Sequence, residues 1–558
     1  MENSKRTLIQ CIFLTWIVFS IVACGNSEKN PEAVIYNPVL PGFYPDPSIC
    51  RVGDDYYMVN STFSYFPGVP IFHSRDLTNW KQIGHVLNRP SQIDLDGLGV
   101  SRGIFAPTIR YNKGTFFLIT TLVGKNGNFF VTAQDPSGPW SDPVWLPEVD
   151  GIDPSIFFDD NDSCYIVNNG PAPNNEPLYE GHRAIWIQQF DLNANKLVGE
   201  RKIIVDGGSD ISQQPIWIEG PHIYKKEGSY FLCAAEGGTA ENHSQVVFKS
   251  KSVWGPWQAF SGNPILTQSK LPVDRPHPIT CTGHADLVKL PNGNWWAVFL
   301  GCQPYAPTVE NHFNTGRETF MAPVDWSQGW PIIGEKDEAL KRVYPRPMLN
   351  EYAPEGYKPL NGSFTVRDNF EKDFLSLTWS FLRVPTDNWY ELKNGKLVIK
   401  CRPVPLTGSG NPSFIGRRQQ HSLCSSTVSL NFQAVNQEEA AGLTIFQNEN
   451  HFYGLLISKS DGQHVVRLVK REEVLAEKAI SDEDVDGSIQ LRITARCNSY
   501  DFDYRAITAE WVSVAANVDG TFLSTRTAGG FVGAYFGMFA FGDSGNQAAF
   551  EWFEYSGE

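Results

Sequence analysis

Apolar and polar positions along the first two thirds of the chain alternate in short runs, and one arrangement of them returns five times. Asp46-Pro47-Ser48-Ile49 leads to Tyr56-Tyr57-Met58-Val59, and Ala106-Pro107-Thr108-Ile109 leads to Phe116-Phe117-Leu118. Asp153-Pro154-Ser155-Ile156 then leads to Tyr165-Ile166-Val167, and Glu219-Gly220-Pro221-His222-Ile223 to Tyr230-Phe231-Leu232. His284-Ala285-Asp286-Leu287-Val288 leads to Trp295-Trp296-Ala297. Each copy reads as a strand, a polar turn and an aromatic strand, the signature of a β-hairpin. A hairpin alone cannot bury its faces. Five at intervals of roughly 50 to 65 residues fit the blades of a β-propeller, and a sandwich of unrelated hairpins is the plainer alternative.

The pattern stops after Trp326, and a Pro-rich stretch from Tyr344 to Pro359 reads as a connector. New alternating runs then begin, among them Thr427 to Phe432, Gly442 to Phe446 and Gln490 to Thr494, at the spacing of a β-sandwich. The expected fold class is therefore all-β, a five-bladed propeller over 35–343, a linker over 344–362 and a concanavalin-like sandwich over 363–558. A length of 558 residues with 48 Gly, 37 Pro and 13% aromatic side chains agrees with two domains rich in strands and turns.

At the amino end, Lys5 and Arg6 precede an apolar run from Leu8 to Val22 that is too short and too early for an ordinary membrane span. It reads as a signal peptide over 1–23. Ile21-Val22-Ala23-Cys24 resembles a bacterial lipoprotein cleavage box, with Cys24 as the lipidation site and 24–34 as a tether; a plain secretory signal is the alternative. The expected location is the periplasm or the cell surface, with the membrane reached only through the lipid. The remaining eight cysteines are scattered singly, without metal-ligand or disulfide spacing. A net charge of −15 without a basic cluster argues against a nucleic-acid partner and suits a neutral one.

The innermost strand of each propeller blade begins at the axis, so Asp46, Ala106, Asp153, Glu219 and His284 should converge. Any one Asp-Pro-Ser could simply cap a turn. Three carboxyls in the same register, however, repel one another and must desolvate, an arrangement that stability disfavours and acid–base chemistry on a sugar requires.

Asn37-Pro38-Val39-Leu40-Pro41-Gly42-Phe43-Tyr44-Pro45-Asp46-Pro47-Ser48 resembles the opening of family 43 glycoside hydrolases, the β-xylosidases and α-L-arabinofuranosidases. Gly151-Ile152-Asp153-Pro154-Ser155, Ile218-Glu219-Gly220-Pro221-His222, Thr282-Gly283-His284 and Gly316-Arg317-Glu318-Thr319-Phe320 resemble its further landmarks in order. The resemblance implies an exo-acting, inverting enzyme on plant hemicellulose oligosaccharides or polysaccharides. In it Asp46 is the general base, Glu219 the general acid and Asp153 the residue that raises the pKa of Glu219 and orients it. It also implies that Arg317 binds sugar hydroxyls, that Phe531 closes one side of the pocket from the second domain, and that no cofactor is required. Near His284 relatives hold a calcium or a water cluster, while a satisfied core histidine is the alternative reading. Xylosidase-type relatives carry tryptophan and phenylalanine where this chain has Phe105 and Ile152. The smaller Ile152 points to arabinofuranose before xylose, with a β-D-xylosidase or bifunctional enzyme second. A non-catalytic glycan-binding lipoprotein is the reading from another class.

Overall fold

The computed structural model describes residues 33–272, 274–305, 311–353, 360–506 and 509–558. The signal segment, Cys24 and nearly all of the tether lie outside them. Residues Val34–Glu558 form one compact unit.

Five antiparallel sheets follow one another along the chain, four strands deep on their main path. Their inner strands are Ser48–Val52, Thr108–Asn112, Ile152–Phe158, Glu219–Lys226 and Thr280–Lys289. Each inner strand packs against the next, and the fifth packs back against the first, which closes a ring. This is a five-bladed β-propeller, and the five repeats are its inner hairpins. Val34–Tyr36 pairs with Val343–Pro345 and so ties the end of the propeller to its beginning. The Asn37 side chain adds a reciprocal pair of bonds to the Met321 backbone, at 2.7 and 2.8 Å.

The ring is also bolted across its axis. Buried Asp286 of blade 5 accepts two bonds from Arg110 of blade 2 (2.8 and 3.0 Å), one from Ser48 of blade 1 (2.6 Å) and one from Tyr224 of blade 4 (2.6 Å). Burial alone would raise the Asp286 pKa, but Arg110, His222 and the Ser48 hydroxyl hold it below the usual carboxylate range. Breaking such a buried pair by removing one partner typically costs about 3–5 kcal/mol.

The second domain stacks two eight-stranded antiparallel sheets. Leu423–Asn431, Ala440–Asn448 and Ile489–Arg496 contain the three runs singled out from the sequence. The α-helices among the described residues are single turns, Asp482–Asp486 and Thr525–Ala528. One sandwich sheet ends on a strand from the other domain: Tyr65–Phe66 of blade 1 pairs with Ser380–Leu382. Beside it the buried Arg383 side chain bonds the Leu98 carbonyl and the Glu449 carboxylate, which in turn accepts from the Val100 N–H. The domains thus share a sheet, and an ion pair of the second domain bonds the backbone of the first. All eight cysteines of the described residues are free thiols; seven are buried, six of them in strands as small apolar side chains.

Candidate active site

Three of the five axial positions adopt a backbone that side chains other than glycine rarely tolerate. Asp46, Asp153 and His284 have φ of 50°, 53° and 54°. At blades 3, 4 and 5 the pairing register slips beside the axial residue, between Ile152 and Ser155, Glu219 and His222, and Gly283 and Asp286. A bulge of this kind re-aims one side chain out of the alternating pattern, here toward the axis. Left-handed residues cost roughly 1–3 kcal/mol each and persist where the surrounding fold enforces them. Gly220, at φ 57°, has no room for a side chain: a Cβ there would come within 2.8 Å of the His284 ring.

The result is a pocket of about 870 Å³ lined by Asp46, Asp153, Glu219, His284 and Arg317, with Phe63, Phe105, Ile152 and Phe531 in its wall. Ligand atoms of Asp153, Glu219 and His284 lie within 4.8 Å of one another, and all three residues are buried. The Asp46 carboxylate accepts from the Ser61 hydroxyl at 2.5 Å and from Arg317 Nη1 at 3.0 Å, with His284 Nδ1 4.0 Å away.

These surroundings divide the carboxyls into two kinds. Burial pushes Asp46 upward, but Arg317, His284 and the Ser61 hydroxyl outweigh it and leave Asp46 more acidic than an ordinary aspartate. Glu219 is pushed up to about 7, by burial first and then by the Asp46 charge, against the pull of Arg317 and Arg183. Asp153 is raised well above the usual range, by burial first and then by Glu219 and Asp46. Both carboxyls hold protons beside the ionised Asp46, whose charge raises each of them. One ionised and one protonated carboxyl facing a common pocket can supply a base and an acid together.

The arrangement predicts a bell-shaped pH profile for kcat/KM. Asp46 works ionised and Glu219 works protonated, so the basic limb should centre near pH 7 as Glu219 loses its proton, and the acid limb should lie below the ordinary aspartate range, where Asp46 gains one. A steady-state pH series checks this, and a rate still rising above pH 8 would contradict it.

The second domain builds part of the wall. The Phe531 N–H donates to Ser101 Oγ at 3.0 Å, and the Phe531 carbonyl accepts from Arg317 Nη2 at 3.5 Å. The Arg317 guanidinium sits 5.6 Å from the Phe63 ring centroid and 5.5 Å from that of Phe531. Phe63 is 4.9 Å from Phe105 and 5.8 Å from Phe531, so three phenylalanines form one continuous face. Sequence reasoning found Phe105, Phe531, Ile152 and Arg317 but missed Phe63, Ser61, Asn169, Arg183 and Trp217. None of these opens a repeat. The one signal available was Trp217, an aromatic two residues before an axial acid.

By spacing, Asp153, Glu219 and His284 could hold a metal ion. The donor set fits calcium poorly. Calcium takes about six to eight oxygens, whereas this group offers two carboxyls of raised proton affinity and one imidazole nitrogen. Among the residues flanking His284, the buried atoms without a protein partner are His243 Nε2, Gln245 Nε2 and Thr282 Oγ1, of which one is an oxygen. The calcium expected near His284 finds no oxygen cage there, and no catalytic step depends on one.

Comparison with known proteins agrees with this geometry. The model of glycosyl hydrolases family 43 matches residues 35–331, and that of the β-xylosidase C-terminal concanavalin A-like domain matches 367–556. A non-reducing end α-L-arabinofuranosidase of Bacteroides ovatus is 36% identical over 566 residues, covering 100% of this chain and 99% of that protein. A xylosidase/arabinosidase of Butyrivibrio fibrisolvens is 40% identical over 518 residues, covering 90% and 95%. Among solved structures, a Bacteroides ovatus xyloglucan-locus GH43B protein superposes with a TM-score of 0.83 at 37% identity, covering 94% of this chain and 99% of that one. A GH43_12 protein retrieved from capybara gut metagenome gives 0.84 at 41%, covering 92% and 96%. With both domains matched in order and the acids gathered in one pocket, the chain belongs to glycoside hydrolase family 43 and is a catalytic member of it.

Proposed function

We propose that this enzyme is an exported, exo-acting and inverting α-L-arabinofuranosidase that releases terminal residues from hemicellulose side chains such as those of arabinoxylan or xyloglucan. Asp46 takes the proton of the attacking water. Glu219 gives its proton to the departing oxygen. Asp153, itself protonated, sets the orientation of Glu219, while Arg317 binds hydroxyls of the terminal sugar and holds Asp46 ionised. Cys24 tethers the protein to the membrane by a lipid, in the periplasm or at the cell surface.

The observation that carries the reading is the unequal pair: an ionised Asp46 fixed by Ser61 and Arg317, and a protonated Glu219, in one pocket. The preference for arabinofuranose rests on the wall at Phe105 and Ile152, supported by the name of the Bacteroides ovatus relative. A flat pyranose stacks well on an aromatic face, and an isoleucine at 152 leaves room for a puckered furanose.

Assays on 4-nitrophenyl α-L-arabinofuranoside and β-D-xyloside test the proposal. Faster turnover of the arabinofuranoside supports it, the reverse order assigns a β-xylosidase, and silence on both assigns a glycan-binding protein. Ile152→Phe should lower the ratio of arabinofuranoside to xyloside kcat/KM by about tenfold, the scale on which pocket-wall contacts discriminate. An unchanged ratio removes Ile152 from the specificity argument.

A further inference from the structure

The pocket holds two well-buried or half-buried arginines, Arg317 and Arg183, and the catalytic account above uses one. Arg183 opens the third strand of blade 3, Arg183–Asp191. Its guanidinium carbon lies 4.3 Å from the centroid of the Trp217 ring. Among the described residues its side chain makes no hydrogen bond or ion pair, and the one charge acting on it is Glu219. Stacking on an aromatic face orients a guanidinium but uses none of its five N–H donors.

The pair is preset by its backbone. Gly207 N–H donates to the Arg183 carbonyl at 3.0 Å, and Trp217 N–H donates to the Gly181 carbonyl at 2.9 Å. Trp217 is itself left-handed, with φ 53°, and stands two residues before Glu219. Both side chains are partly exposed to the pocket. A side chain held this firmly while leaving its donors free is prepared for a ligand rather than for the fold.

Which part of the substrate it meets follows from the two ends of the pocket. Arg317, Phe63 and Phe531 gather around Asp46, the residue on the water side of the bond to be cut. Arg183 stacks instead on Trp217, two residues before Glu219, the residue on the leaving-group side, and all three line the pocket. Resting on the roles assigned to Asp46 and Glu219, we propose that Arg183, held flat by Trp217, is the subsite for the departing sugar and hydrogen-bonds hydroxyls of a neutral backbone pyranose. Arg183 is then a positioning residue: it places the glycosidic oxygen against the Glu219 proton.

The test uses the full-length protein and two substrates, an arabinofuranosyl-substituted xylo-oligosaccharide and 4-nitrophenyl α-L-arabinofuranoside, which has no sugar in the departing position. Arg183→Met should lower kcat/KM on the oligosaccharide by about 10- to 100-fold, the effect of one or two charge-assisted hydrogen bonds, and on the aryl substrate by about threefold or less. The basic limb of the pH profile should move upward on both substrates, because Glu219 loses a cation that favours its ionised form. Arg183→Lys should return that limb while leaving the oligosaccharide rate low, since an ammonium lacks the planar fork. Trp217→Ala should repeat the oligosaccharide loss. Equal losses on the two substrates, or an unchanged oligosaccharide rate, would overturn the subsite. A wild-type enzyme silent on both substrates would instead overturn the functional reading beneath it.

Discussion

Asp46→Asn should lower kcat by about 10²- to 10⁴-fold on every substrate, with KM little changed. The amide keeps the size of the carboxylate: its oxygen can still accept from Arg317 and its NH2 can donate to the Ser61 hydroxyl, where the two carboxylate oxygens now accept at 3.0 and 2.5 Å. The local fold therefore has no reason to move. What disappears is the ability to take a proton from water. The loss should not depend on the leaving group, because attack by water requires the base whatever departs. Steady-state kinetics on an aryl glycoside and on an oligosaccharide check this, with thermal melting as the folding control. Activity within a few-fold of wild type would remove Asp46 from the mechanism.

Glu219→Gln should show the opposite dependence. On an oligosaccharide, whose leaving alkoxide is strongly basic, kcat should fall by about 10²- to 10⁴-fold. On a 2,4-dinitrophenyl glycoside, whose phenolate departs without help, the loss should shrink to about tenfold or less. The basic limb near pH 7 should vanish as well, since it reports the Glu219 proton. Glutamine keeps the side-chain shape but holds no transferable proton. The buried environment also becomes less strained, because Asp153 no longer faces an ionisable neighbour that raises its own pKa. Equal losses on both substrates would mean that Glu219 serves something other than proton donation.

Much of this site was legible because a propeller writes its axis into the sequence at a fixed place. Asp46, Asp153 and Glu219 open three of five similar hairpins, and the inner strands close into one ring. The pattern could not show how these side chains reach the pocket. That depends on left-handed backbone at Asp46, Asp153 and His284 and on register slips in three blades, which alternation of apolar and polar residues does not encode.

Residues outside the repeat were lost for a similar reason. Ser61 and Phe63 follow the second strand of blade 1, and Arg183 starts an outer strand, so nothing in their local sequence marks the axis. Long-range pairs such as Arg110 with Asp286 and Arg383 with Glu449 leave no local trace either. The boundary between the domains was readable as a change of pattern, but the two-residue strand Tyr65–Phe66, which completes a sandwich sheet, is too short to carry one. Chain order also does not reveal which carboxylate stays ionised; Arg317, which pairs with Asp46, decides it.

The central claim is that a base and an acid in this pocket act on opposite sides of one glycosidic bond in a single displacement. Proton NMR of the sugar released in the first moments of hydrolysis tests it most directly. The account predicts that an α-L-arabinofuranoside yields β-L-arabinofuranose first, with the α anomer appearing later by mutarotation. Initial release of the α anomer would mean a double displacement through a covalent intermediate, and would contradict the roles assigned to Asp46 and Glu219.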